Sequence, residues 1–93
     1  MSEIILYTKD YCPYCKQAKA LLKQKGVTFT EYDIQTSDDL VQEMITRSGG
    51  RRTVPQIFIG DQHIGGASDL FELNSQGGLD PLLAPFRLKL AEA

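Results

Sequence analysis

The chain has 93 residues, of which 42% are hydrophobic and 24% are charged, and its formal net charge at pH 7 is −2. This composition is typical of one globular domain, and it excludes a disordered chain or one built from transmembrane segments. The slight acidic excess also argues against a nucleic-acid partner, because proteins that bind nucleic acids normally carry a basic surface.

Hydrophobic patterning in the first half of the chain predicts alternating strands and helices. Residues 4–7 form a continuous apolar run, which is typical of a strand covered on both faces. Residues 13–25 repeat apolar side chains at helical spacing, with a proline at the first helical position and a glycine just after the last. A β-branched and aromatic stretch predicts a second strand over residues 27–34, and a second helix follows over residues 38–47.

The second half of the chain is predicted to form a hairpin followed by short helices. Two apolar runs, residues 56–59 and 62–64, are separated by a glycine-containing turn and predict antiparallel strands. Ser68 is the predicted cap of a third helix, and residues 80–83 predict one more helical turn that the next proline should interrupt. Residues 86–93 fit a strand and a helix equally. The resulting fold class is α/β, with a mixed four-stranded sheet flanked by helices in the order βαβαββα.

The chemistry is concentrated where the first strand meets the first helix, at Cys12 and Cys15. With Pro13 at the first helical position, Cys12 becomes the cap residue, and its sulfur can accept hydrogen bonds from backbone amides that lack helical partners. The positive end of the helix dipole and nearby Lys9 then favour the thiolate. Residues three apart share a helix face, so the two sulfurs can also close into a disulfide. These features predict a redox-active pair.

Two other interpretations of the cysteines remain open at this point. The pair could be half of a zinc site, although a structural zinc needs four ligands and His63 is the single histidine of the chain. A catalytic dyad of Cys12 with His63 would leave Cys15 and Pro13 without a role. A Cys-x-x-Cys beside a βαβ pattern favours redox exchange over both.

Four motifs, in matching order and spacing, resemble those of dithiol glutaredoxins of the small bacterial type. They are Cys12-Pro13-Tyr14-Cys15, Thr53-Val54-Pro55, Gly65-Gly66 and Ser68-Asp69-Leu70. The resemblance implies a thioredoxin fold and a glutathione-dependent disulfide oxidoreductase. Such an enzyme reduces glutathione mixed disulfides and protein disulfides through Cys12 and Cys15, and glutathione reduces it in turn. The glutaredoxin domain is expected to span residues 1–83, leaving residues 84–93 as an extension without a functional interpretation.

The resemblance also implies a glutathione site. Its expected contacts are Lys9, Tyr14, Thr53, Val54, Pro55, Gly66, Ser68 and Asp69. A cis bond before Pro55 would present the Val54 backbone to glutathione like an added strand. Ser68 and Asp69 would hold the carboxylate and amine of the γ-glutamyl group, although both also fit an ordinary helix cap. Lys9 would lie near the glycine carboxylate, a role that Arg51 or Arg52 could share.

The same resemblance bears on whether the chain binds a metal and on which reductant it uses. Glutaredoxin relatives that bind an iron–sulfur cluster typically carry Gly at the place of Pro13 and Ser at the place of Cys15, so we expect no metal here. A related redoxin reduced by a flavoenzyme is a further alternative, against which Ser68-Asp69 argues.

The expected partners are glutathione and glutathionylated or disulfide-containing proteins, with no nucleic acid and no membrane. Met1–Glu3 lacks a basic segment, so no signal peptide is expected, and we expect a cytoplasmic monomer.

Overall fold

A computed structural model of the protein describes residues 3–86. The strands are β1 (Ile4–Thr8), β2 (Thr30–Asp33), β3 (Gln56–Ile59) and β4 (Gln62–Gly65). The α-helices are α1 (Pro13–Gln24), α2 (Asp38–Arg47), α3 (Ala67–Ser75) and α4 (Leu79–Leu83). Two single turns of 3-10 helix, Ile34–Thr36 and Ala84–Phe86, follow β2 and α4.

The four strands form one sheet in the order β2-β1-β3-β4. Strand β1 is parallel to β2 and antiparallel to β3, and β3 and β4 form an antiparallel hairpin. The sheet is therefore mixed, as the chain order of strands and helices predicted, and the predicted α/β fold is confirmed.

Strand β1 separates two hydrophobic cores because its side chains alternate between the two faces of the sheet. Ile4 and Leu6 belong to the larger core, which α1, α3 and α4 complete. Ile5 and Tyr7 belong to the smaller core, which buries Met44 of α2. All five residues of β1 are buried, which explains the continuous apolar pattern of this segment.

The largest differences between the predicted and the observed boundaries are at β2, α3 and α4. The second strand was expected over residues 27–34, but continuous pairing with β1 covers only Thr30–Asp33. Helix α3 begins at Ala67 with Gly66 as its cap, so the prediction that Ser68 caps this helix is wrong. Helix α4 begins at Leu79, ahead of the predicted turn, and its end at Leu83 agrees with the interruption expected from the following proline.

The described part of the chain ends in a short segment beyond α4. Ala84–Phe86 forms a single 3-10 turn, and Phe86 packs against the larger core. The prediction for residues 86–93 falls, apart from Phe86 itself, outside the described residues. Over residues 3–86, no helix has the length and apolar character needed to cross a membrane.

Candidate active site

Cys12 lies between β1 and α1, at the N-cap position that the sequence predicted. Its extended backbone (φ −109°, ψ 100°) precedes Pro13 at the first helical position. The Cys12 Sγ accepts a hydrogen bond from the Cys15 backbone N–H at 3.2 Å. The sulfur therefore takes the place that a serine or aspartate oxygen occupies in an ordinary cap, at the positive end of the helix dipole.

Cys15 lies one turn further into α1 and has very different surroundings. Its side chain is 1% exposed, whereas Cys12 is half-buried. Burial, followed by the hydrogen bond with Cys12, raises the pKa of the Cys15 thiol, and the charge of Lys19 offsets only part of this effect. Cys15 therefore stays protonated at neutral pH while both cysteines are reduced.

The loop before Cys12 places an aromatic side chain in the groove that Cys12 also lines. Tyr11 is 95% exposed, and its φ of 56° lies in the left-handed region, which is uncommon for a residue other than glycine. The Asp10 backbone N–H donates to Gln35 Oε1 at 2.8 Å, which ties the loop to the turn after β2. Sequence reasoning gave Tyr11 no role, because no local pattern signals a positive φ at a tyrosine.

A second segment, the turn Thr53–Pro55, faces Cys12. The Val54–Pro55 peptide bond is cis, and the Val54 carbonyl oxygen lies 3.9 Å from Cys12 Sγ. Beside this turn is a cavity of about 280 Å³. Its lining residues are Tyr14, Arg51, Thr53, Val54, Pro55, Gly66, Ala67 and Ser68.

The start of α3 forms one wall of this cavity and is stabilised from within. Asp69 Oδ2 accepts a hydrogen bond from the Gly66 N–H at 2.9 Å and lies 3.7 Å from Arg51 Nη2. A Cβ at Gly65 would lie 2.3 Å from Asp69 Oδ2, and Gly65 has a φ of 118°, so this position requires glycine. Since Asp69 provides the cap contact, the exposed Ser68 hydroxyl is not needed for it.

The structure brings together most of the residues that the resemblance assigned to a ligand site. Tyr14, Thr53, Val54, Pro55, Gly66 and Ser68 all line the cavity, and Asp69 supports its wall. Lys9 instead lines a second groove of about 290 Å³, together with Tyr11, Cys12 and Cys15. Of the two arginines left open by the sequence, Arg51 lines the cavity.

The alternative interpretations of the cysteines find no support in the geometry. His63 Nε2 lies 2.7 Å from Gln56 Oε1, a contact within the β3–β4 hairpin. Across the described range, residues 3–86, no three His, Cys, Asp or Glu side chains come together as potential metal ligands.

The chain is similar to known proteins along most of its length. A family model described as Glutaredoxin matches residues 4–64. Glutaredoxin 3 of Escherichia coli (strain K12) is 58% identical over 83 residues, which cover 89% of this chain and 99% of that protein. The solution structure of glutaredoxin from Brucella melitensis is 52% identical, with a TM-score of 0.76 and 89% of each chain covered. The crystal structure of a buckwheat glutaredoxin–glutathione complex has a TM-score of 0.80 at 32% identity, covering 90% of this chain and 78% of that one.

These similarities agree with the four motifs in the sequence and with a cysteine pair split between a helix cap and a buried first turn. The family match covers more than half of the chain, and the match to the Escherichia coli relative covers 89% of it. The chain therefore belongs to the glutaredoxin family, whose members are thiol–disulfide oxidoreductases.

Proposed function

We propose that this thiol–disulfide oxidoreductase uses glutathione as its reductant and reduces glutathione mixed disulfides and protein disulfides. The cavity beside the turn Thr53–Pro55, which faces Cys12, carries this proposal. It measures about 280 Å³ and is bounded by the Val54 backbone, whose carbonyl lies 3.9 Å from Cys12 Sγ. A tripeptide joined to Cys12 by a disulfide would lie along this wall. The buckwheat relative named as a glutathione complex supports the choice of ligand.

Both ends of the ligand have candidate partners. Ser68 and the first backbone amides of α3 suit the carboxylate of the γ-glutamyl group, since N–H groups at a helix N-terminus bind anions. The Asp69 carboxylate suits its ammonium group. Because Arg51 lies 3.7 Å from Asp69, we place Arg51 at this same end of glutathione. Lys9, in the groove with the two cysteines, is the proposed partner of the glycine carboxylate.

On a glutathione mixed disulfide, the reaction needs only one enzyme cysteine. The Cys12 thiolate attacks the glutathione sulfur, a new sulfur–sulfur bond forms, and the substrate leaves as a thiolate that takes up a proton. The thiolate of a second glutathione then attacks the bound glutathione sulfur. Glutathione disulfide forms and Cys12 leaves as a thiolate, whose sulfur can keep the hydrogen bond from the Cys15 N–H.

On a protein disulfide, Cys15 becomes necessary. The Cys12 thiolate attacks one sulfur of the substrate disulfide, which breaks that bond, releases the other substrate sulfur as a thiolate and forms a mixed disulfide with the protein. Cys15 then loses its proton to the departing substrate sulfur, attacks Cys12 and closes the Cys12–Cys15 disulfide. Two molecules of glutathione restore the dithiol and become one molecule of glutathione disulfide.

The test is reduction of a small glutathione mixed disulfide, with oxidised glutathione recycled by glutathione reductase and NADPH consumption measured. We expect turnover that saturates with the mixed disulfide and depends on glutathione. Cys12→Ser is the matched control and should be inactive. The proposal fails if the protein remains inactive with glutathione and glutathione reductase, while a flavoenzyme that reduces the protein directly supports reduction of the same substrate.

A further inference from the structure

Gln56 is a buried polar residue that connects the hairpin to the turn facing Cys12. Its side chain is 0% exposed although it opens the apolar strand β3. Its Nε2 donates to the Thr53 carbonyl at 2.9 Å and to Thr53 Oγ1 at 3.2 Å. Its Oε1 lies 2.7 Å from His63 Nε2. One amide therefore bridges the edge strand β4 and the turn Thr53–Pro55.

The direction of these hydrogen bonds follows from the chemistry of the groups. A backbone carbonyl can only accept, so the amide NH₂ of Gln56 faces Thr53 and its oxygen faces His63. His63 must then donate through Nε2. Burial, followed by the charge of Arg51, lowers the pKa of His63, so the ring is neutral at neutral pH and its single proton resides on Nε2.

His63 is itself held in place on the sheet. It is paired with Phe58 across the hairpin, and the two rings are stacked with centroids 4.9 Å apart and an interplanar angle of 30°. The Arg47 guanidinium lies 4.7 Å from the centroid of the same Phe58 ring. The imidazole thus has a fixed position from which its N–H can orient Gln56.

We propose that His63 is a positioning residue for glutathione use, acting through Gln56 on the turn Thr53–Pro55. The His63 N–H sets the orientation of the Gln56 amide, which in turn holds the Thr53 carbonyl and hydroxyl. The turn then presents Val54 to Cys12 and to the ligand cavity, which neither His63 nor Gln56 lines. This inference rests on the proposed use of glutathione.

Replacing the hydrogen-bond donor at position 63 by an acceptor tests whether His63 positions Gln56 or only packs against its neighbours. His63→Gln keeps an N–H donor at a similar reach, whereas His63→Glu at pH 8 offers only acceptors. In the His63→Glu variant, the Gln56 NH₂ would turn toward the new carboxylate, and the Gln56 oxygen would face the Thr53 carbonyl. Two acceptors would then oppose each other at the turn.

The experiment measures KM and kcat for a small glutathione mixed disulfide, the rate of Cys12 alkylation, and the melting temperature of each variant. We expect His63→Gln to keep the wild-type KM within about twofold and His63→Glu to raise it about five- to tenfold, the effect of losing one hydrogen bond. The alkylation rate should stay close to the wild-type value in both, because Cys12 Sγ accepts its hydrogen bond from the Cys15 N–H of α1 at 3.2 Å, whereas the Val54 carbonyl of the turn lies 3.9 Å away.

Two further measurements keep the inference testable. If His63→Glu does not fold, His63→Leu, which has neither donor nor acceptor, should raise KM about fivefold. In a Gln56→Met background, replacing His63 should change KM no further. The inference is overturned if the acceptor variant has the wild-type KM, or if His63→Gln and His63→Glu raise KM equally. A wild-type protein that does not use glutathione would instead contradict the proposed function.

Discussion

Cys12 and Cys15 are one helical turn apart, and the proposed mechanism gives the roles of nucleophile and leaving group to Cys12 alone. The Cys12 sulfur is half-buried and accepts the Cys15 N–H at 3.2 Å. The Cys15 sulfur is buried, and burial raises its thiol pKa. This difference arises because Cys12 caps α1 whereas Cys15 lies within its first turn. We therefore expect different effects of replacing each cysteine.

Cys12→Ser should abolish exchange with every disulfide, because a serine hydroxyl stays protonated at neutral pH. Cys15→Ser should keep or increase the activity on glutathione mixed disulfides, where glutathione itself resolves the intermediate. The same variant should lose much of its activity on intramolecular protein disulfides, and trapped enzyme–substrate adducts should accumulate. The measurement is turnover of both variants on both substrate classes. An equal loss for both variants on glutathione mixed disulfides would contradict the single-cysteine step.

Asp69 accepts the Gly66 N–H at the start of α3 and is also the proposed partner of the γ-glutamyl ammonium group, and one substitution separates these two roles. Asp69→Asn keeps an oxygen that can accept the Gly66 N–H, but it removes the charge proposed to meet the γ-glutamyl ammonium group. Loss of a charge-assisted hydrogen bond costs roughly 1.5–3 kcal/mol, or about 10- to 150-fold in affinity. We expect KM for a glutathione mixed disulfide to rise within that range at an unchanged Cys12 alkylation rate. Asp69→Ala is the companion variant, and it should also lower the melting temperature because the cap contact is lost. Wild-type saturation behaviour in Asp69→Asn would contradict the placement of the γ-glutamyl group.

Of the helix caps predicted at Cys12 and Ser68, local sequence signals identified one correctly. Cys12 as a helix cap followed from the proline after it, and the structure confirms it. Ser68 looked like a cap for the same kind of reason, but the Asp69 carboxylate reaches back to the Gly66 N–H and moves the helix start. Gln56 had no signal at all, because its two partners come from a turn and an edge strand that only the folded sheet brings together.

At the scale of single elements, a buried tyrosine adds polar contacts to the apolar packing of α2 on the sheet. Tyr7 of β1 is 0% exposed, donates a hydrogen bond to Glu43 and accepts one from Arg47 Nη1 at 3.0 Å. Its ring also contacts Phe58 edge-on, with centroids 5.8 Å apart. The strand pattern predicted an apolar interior position here, and the hydroxyl adds a polar link that periodicity could not show.

This link makes the stability of the fold depend on pH in the alkaline range. Burial, followed by the hydrogen bond to Glu43, raises the pKa of Tyr7 to about 12. Since the unfolded chain has a tyrosine pKa of about 10, the folded state holds this proton more tightly, and the stabilisation is complete below pH 10. It is lost as the pH rises from about 10 to about 12. The stability advantage of wild type over Tyr7→Phe, measured by urea unfolding, should therefore shrink across this interval. An advantage that stays constant from about pH 8 to about pH 11.5 would contradict this account.

The sequence predicted whether each element is a strand or a helix better than it predicted the first and last residues of the element. Helix α2 has the predicted bounds because its cap, its acidic first turn and its terminal glycines are all local signals. Strand β2 is shorter than predicted because a β-branched sequence extends beyond the continuous pairing with β1. Hydrogen-bond partners on a neighbouring strand decide where a strand ends, and one segment alone does not contain that information.

At the scale of the whole molecule, the sheet separates cores of unequal size. The larger core joins α1, α3 and α4, so it supports both helices whose N-termini border the site. The smaller core joins α2 to β1 and β3. The sequence suggested only a helical turn for α4, yet Leu79 and Leu83 of this short helix are each 0% exposed. The short helix α4 thus completes the core on which α1 and α3 pack.

Leu83→Ala tests the contribution of α4 to this core. Truncation of a fully buried leucine typically costs about 2–5 kcal/mol of unfolding free energy. For a domain of this size each kcal/mol lowers the melting temperature by roughly 4–8 °C. Leu82→Ala is the matched control. The Leu82 side chain is only half-buried, so its truncation should lower the unfolding free energy clearly less than Leu83→Ala does. Below the melting temperature, Leu83→Ala should keep the wild-type Cys12 alkylation rate, because the cap at Cys12 is built within α1. Equal melting temperatures for the two variants would contradict the contribution of Leu83 to the larger core. An altered alkylation rate in folded Leu83→Ala would show that α4 also affects Cys12.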